Sequence, residues 1–149
     1  MSVNIRLADA SDQPPIEEIV KQAYTPYIAR IGQPPGPMLD DYATLINNQH
    51  IHIAEQDSII KGFLVLIPQQ DSMLLDNIAV SPSAQGMGIG RILLDFAEQA
   101  ARDAGYVVIK LYTHETMTEN IAIYSKLGYL ETRRVLERGL KRVYMAKSL

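Results

Sequence analysis

Residues 85–90 read Gln85-Gly86-Met87-Gly88-Ile89-Gly90, and Arg91 follows. An apolar run, Met73–Val80, precedes them and a helical pattern comes after, so three alternate glycines stand where a strand turns into a helix. The first N–H groups of a helix lack acceptors within it and carry a partial positive charge. Glycine removes the Cβ that would hold an anion away from those groups, so the turn is suited to a pyrophosphate, with the Arg91 guanidinium close by to add charge.

Two familiar pyrophosphate loops fit poorly. A P-loop needs Lys and a hydroxyl directly after its last glycine, and this chain has Arg91-Ile92 there. A dinucleotide loop needs G-x-G-x-x-G in an early βαβ unit and an acid at the end of the next strand. Here the third glycine comes one position early, and the next strand runs into Thr113-His114. The pattern Gln85-x-x-Gly88-x-Gly90 on a strand-to-helix turn instead resembles the acyl-coenzyme A loop of the GNAT superfamily of N-acetyltransferases. A second signature supports this. Residues 119–129 are similar to the superfamily's short helix ending Y-x-K-L-G-[FY], read here as Tyr124-Ser125-Lys126-Leu127-Gly128-Tyr129. The likeness runs over residues 7–146. The competing reading makes the glycines a tight turn and Tyr124 a core aromatic.

The resemblance implies an α/β (α+β) fold in which acyl-coenzyme A lies where the fourth and fifth strands, parallel to each other, splay apart. Ile78, Ala79 and Val80 would then meet the pantetheine arm, and the phosphates would sit on Gln85, Gly86, Met87, Gly88, Ile89, Gly90 and Arg91. Tyr124 stands where the superfamily places its general acid. Asn120, one turn earlier, would bind the cofactor or orient a water, although many members carry that asparagine nearer the position of Met117. Asp76 is either the base that drains a proton from the amine or a structural residue, and His114 and Glu115 are further candidates.

Composition bounds the remaining possibilities. The 149 residues are 47% hydrophobic and 21% charged, as expected of a single domain over residues 1–149. No apolar run reaches the length of a membrane span and the N-terminal residues lack the apolar core of a signal peptide, so no membrane contact and a cytoplasmic location are expected. With no cysteine, the acyl group cannot pass through a protein thiol. The net charge of −3 argues against nucleic acid, and the densest basic stretch, Arg133 to Arg142, reads as solvated surface. The three histidines have no metal-ligand spacing, so no metal is expected.

The pattern of elements agrees with the resemblance. Strands are expected over residues 3–8, 52–55, 59–67, 73–80, 107–112, 129–134 and 141–146, giving a mixed, mostly antiparallel sheet of about seven strands with helices on both faces. A first helix starts at Pro14-Pro15 and runs towards Tyr27, a Pro/Gly-rich loop spans residues 32–37, and a short helix covers 39–47. Helical periodicity fills 92–104, and Thr116-x-x-Glu119 reads as a capping box for the helix that ends at Gly128.

Tyr24, Tyr27, Arg30, Met38 and Tyr42, together with Asp40 and Asp41, bring aromatic, acidic and basic groups to the region expected to choose the acceptor. Three functions fit these features. One is direct acetyl transfer from acetyl-coenzyme A to a small-molecule or peptide amine. Another is a non-catalytic module that senses acyl-coenzyme A. The third is transfer of a longer acyl group or transfer to oxygen. A homodimer through the C-terminal strands is possible.

Overall fold

The computed structural model describes residues 2–149. Seven strands form one sheet: β1 (Asn4–Leu7), β2 (Ile51–Gln56), β3 (Ile59–Pro68), β4 (Met73–Val80), β5 (Val108–His114), β6 (Leu130–Glu137) and β7 (Leu140–Ser148). Their spatial order is β1-β2-β3-β4-β5-β7-β6, and every pairing is antiparallel except β4 with β5. The helices are α1 (Gln13–Ile31), α2 (Tyr42–Asn47), α3 (Ile89–Asp103) and α4 (Thr118–Lys126). This is the mixed, mostly antiparallel sheet expected from the pattern, with β4 and β5 parallel across the α3 crossover.

Each face of the sheet has its own core. On one, α3 packs Ile89, Leu93, Ala97 and Ala101 against Leu64, Leu66, Met73 and Leu75. On the other, α1 and α2 pack Ile16, Ile19, Val20, Tyr42 and Ile46 against Phe63, Val65 and Ala79. β4 contributes to both cores through a bulge. Leu75 pairs with Leu66 and Asn77 pairs with Val65, so Asp76 is the extra residue between them. One unpaired residue inverts the side-chain alternation. Met73 and Leu75 therefore face α3, whereas Ala79 faces α1. The residue types of this strand, Met73-Leu74-Leu75-Asp76-Asn77-Ile78-Ala79-Val80, do not mark that change of face.

Three local differences from the expected pattern have physical reasons. α1 runs past Pro26 to a left-handed Gly32, because Pro26 sits on the exposed side, where water can satisfy the carbonyl it leaves unpaired. The capping box does not form: α4 begins after Met117 with no side-chain cap, and Glu119 is drawn to Arg30. Thr116 instead bonds the His114 ring at 2.9 Å. The closing hairpin is longer than expected, with Arg138 and Gly139 both at positive φ, the backbone of a tight two-residue turn.

Gly62 on β3 fixes the seat of α3. A Cβ there would lie 2.8 Å from the Ala79 carbonyl oxygen and within 3.3 Å of both Leu93 and Ile89. Gly62→Val should therefore push the start of α3 off the sheet and cost about 1–3 kcal/mol. A urea titration reads this as a lower midpoint; an unchanged midpoint would show that α3 is not held there.

Candidate active site

The parallel pairing of β4 and β5 is short. Met73, Leu74 and Leu75 pair with Ile109, Lys110 and Leu111, and the ladder stops where the Asp76 bulge begins. Beyond it β5 stays paired to β7, while residues 76–80 follow β3 away. Among the described residues, that half of β4 has no ladder partner on its β5 side. Backbone groups so exposed can accept an extended ligand as a missing strand.

Two cavities meet at this opening. A groove of about 520 Å³ runs between α1, β4 and α4 to the start of α3, lined by Tyr27, Ala79, Val80, Gln85, Gly90 and Arg91 among others. A smaller chamber of about 50 Å³ lies between β4, β5 and the 35–37 loop, lined by Asp76, Tyr112, His114 and Arg142 among others. Tyr24, Ile78, Asn120 and Tyr124 line both and form the boundary. At the far end of the groove, Gly86 and Gly88 have φ of 82° and 80°, a conformation that side chains disfavour. Gly88 is the N-cap of α3, so the free N–H groups of the first turn lie beside the groove. Gly90 is already helical; a Cβ there would touch only Val80 at 3.8 Å, so its lack of a side chain keeps the groove open rather than permitting a turn.

The polar groups at the boundary are held in place. Buried Asn77 accepts from the Tyr24 hydroxyl at 2.5 Å and donates to the Tyr42 hydroxyl at 3.0 Å. Tyr24 also donates to the Ile78 carbonyl at 3.1 Å, and Tyr42 donates to the Pro37 carbonyl. This chain of bonds ties α1, the 35–37 loop and the free half of β4 together. The Tyr124 phenol is buried, and desolvation pushes its pKa up to about 12. Asp76 accepts from Tyr112 at 2.7 Å. Asp40, at the outer side of the chamber, is pushed up to about 6, first by burial and then by the charge of Asp76.

Several expected site residues lie elsewhere or are already engaged. Arg30 makes a two-pronged ion pair with Glu119 at 2.7 and 2.9 Å and stacks on Tyr27. Met38 and Tyr42 pack into the core under α1 and α2. Glu115 follows β5 outside the residues lining the cavities, its N–H on the Lys141 carbonyl. The Ile89 side chain is buried beneath α3, which leaves only its main chain for a ligand, whereas Met87 is exposed. Arg91 pairs with Asp95 at 3.0 Å on the surface.

Other lining residues carry no local signal in the sequence. Asn77 and Tyr112 carried no motif, and Arg142, expected on a solvated surface, has a side chain only 12% exposed. The signal that could have found Arg142 is its register: three residues past the hairpin turn, it pairs with His114 at the end of β5.

A family model described as the acetyltransferase (GNAT) family matches residues 15–129. A mycothiol acetyltransferase of Jonesia denitrificans is 31% identical over 90 residues, 57% of this chain and 29% of that protein. The [ribosomal protein bS18]-alanine N-acetyltransferase of Haemophilus influenzae is 30% identical over 95 residues, 60% of this chain and 64% of that protein. The chain thus spans less than two thirds of the length of either relative. Among solved structures, the PaiA N-acetyltransferase of Thermoplasma acidophilum in complex with coenzyme A superposes with a TM-score of 0.82 at 21% identity, covering 100% of both chains. The ribosomal-protein-S18-alanine N-acetyltransferase of Escherichia coli gives 0.78 at 22% identity, over 99% of this chain and 94% of that one.

The displaced Asp40 carboxyl makes stability depend on pH in a defined direction. Its folded pKa of about 6 exceeds the ordinary 3.8, so between those values the unfolded chain gives up its proton first. Stability then falls as pH rises through this window and stays lowered above it. Asp40→Asn should have a higher Tm than the parent at pH 8, with the gap shrinking towards pH 4. A gap independent of pH would place Asp40 in ordinary solvent.

Proposed function

We propose, because the chain belongs to the acetyltransferase (GNAT) family, that it transfers an acetyl group from acetyl-coenzyme A directly to a primary amine of a small molecule or peptide. The observation that carries this reading is the shared boundary: Tyr124, Asn120, Tyr24 and Ile78 line both the long groove and the smaller chamber. A thioester lying in the groove and an amine lying in the chamber would meet there.

Acetyl-coenzyme A supplies the acetyl group as an activated thioester. In the proposed assignment its phosphates rest on the first turn of α3, with Gly88 shaping the turn and Gly90 keeping the approach clear. The pantetheine amides take the free edge of residues 76–80; Tyr24 already holds the Ile78 carbonyl, so Ala79, Val80 and Asn120 carry more of that contact. In the transfer the amine nitrogen forms a bond to the acetyl carbon, the carbon–sulfur bond breaks, and the amine's proton leaves through Asp76 and its neighbours. Tyr124 gives its proton to the departing sulfur. A phenol at about 12 is a weak acid for a thiolate of ordinary pKa about 8.5, but the same burial raises the thiol too, so the two are closer in the site than in water.

No helix among the described residues is long and apolar enough to cross a membrane, and no group of three or more His, Cys, Asp or Glu side chains is placed to hold a metal. We place the reaction in the cytoplasm, with no metal, nucleic acid or membrane partner, and leave a homodimer as the assembly to examine by sedimentation. A module that binds acyl-coenzyme A without turnover is the second reading, disfavoured by the buried, protonated Tyr124 at the boundary.

Thiol release from acetyl-coenzyme A with a panel of amines tests the reading. Tyr124→Phe should lower kcat by roughly 10²- to 10⁴-fold with cofactor affinity kept. Wild-type rate should climb with the neutral fraction of the amine and show no falling limb near about pH 10, where an ordinary phenol ionises. Full activity of the variant would remove Tyr124 from the chemistry. Gly90→Val should weaken coenzyme A binding in calorimetry, and unchanged affinity would move the cofactor elsewhere.

A further inference from the structure

Past the smaller chamber lies a second, outer pocket of about 520 Å³, lined by Asp40, Asp41, Glu137 and Arg138 among others. It shares three residues with the chamber: Asp76, Tyr112 and Arg142. The spaces therefore run in series. An acceptor entering from the outer pocket crosses the threshold at Arg142 before its amine reaches Tyr124.

Arg142 is built into this threshold. Its guanidinium stacks on the Tyr112 ring, 4.4 Å from the centroid. Nη1 donates to Glu137 in a long bond of 3.5 Å, to the oxygen that also accepts from Tyr144 at 2.6 Å. Nη2 lies against Gly36 so closely that a Cβ there would stand 2.6 Å from it, and Gly36 lines the chamber. Among the described residues, no ion pair within 4.0 Å joins Arg142 to Asp40 or Asp76. A guanidinium this buried and this loosely paired is costly unless an anion completes it, and its planar fork matches a carboxylate. At the same threshold the Asp76 and Asp40 carboxylates attract an ammonium group.

Resting on the acetyl-transfer reading above, we propose that the acceptor is a small amino acid, whose carboxylate Arg142 holds at the threshold while its amine points past Asp76 towards Tyr124. Arg142 is then the residue that selects among amines. Charge sets the preference: a bare amine satisfies the acids but leaves the buried guanidinium with only its long Glu137 bond, and a site built to bond a group rejects the analogue lacking it.

The test compares glycine, β-alanine and γ-aminobutyrate with their own carboxamides, as kcat/KM corrected for the neutral fraction of each amine. For the best member of the series the acid should exceed its carboxamide on the order of 10- to 100-fold, the range expected for hydrogen bonds to a charged group. In Arg142→Met and in Gly36→Ala, which displaces Nη2, that ratio should fall to near unity. The ratio does not depend on the fraction of enzyme folded, so a destabilised variant still reports. Turnover of amines with no preference for the acids, or a preference that survives in both variants, would overturn this inference and leave acetyl transfer standing. No turnover of any amine would overturn both.

Discussion

One extra residue in the β3–β4 ladder shapes everything around the site. Without the bulge at Asp76, β4 would continue straight, with residues 73, 75, 77 and 79 all on one face and β5 alongside to the end. With it, the parallel ladder ends at Leu75, and Asn77 and Ala79 turn towards α1. A single unpaired position thus opens the cleft, exposes the backbone edge and places a carboxylate at the opening.

An open sheet edge inside a protein is a liability unless it is braced. Here the brace is the Asn77 amide, bonded at both ends to tyrosines from the opposite layer, with a third bond from Tyr24 to the Ile78 carbonyl. The Asn77–Tyr42 bond is buried and the two from Tyr24 are part-buried, so breaking one leaves a polar group poorly supplied with water, which favours the opened geometry. The Arg30–Glu119 pair joins α1 to α4 across the rim of the same groove, but on the exposed surface, where such pairs contribute little. Preorganisation of the boundary therefore rests on the buried amide more than on the visible ion pair.

The sequence made the site's ends legible and its middle opaque. Gly86, Gly88 and Gly90 reveal themselves because a left-handed turn and a bare helix start demand glycine, and Tyr124 through Tyr129 form a contiguous motif. The seven strands and the parallel pairing of the fourth and fifth follow from alternation, turn chemistry and the intervening helix. The bulge is invisible there, since nothing in the residue types of Met73–Val80 marks it and only the pairing with β3 reveals the slip. Arg142 looked like surface because its burial depends on Tyr112 and Gly36, residues distant in sequence. The expected capping box failed for a similar reason, as Arg30, far along the chain, outcompetes a local bond for Glu119. Local rules are legible from local residues; cavities are closed by distant ones.

In the proposed assignment, the unpaired half of β4 and the first turn of α3 form one binding edge. Amide hydrogen exchange with and without coenzyme A measures this residue by residue. Slower exchange is expected within residues 76–80 and 86–91 when coenzyme A is added, with no change along β6, an outer strand of the sheet. Protection confined to β6 and β7, or none within 76–80 under saturating ligand, would contradict it.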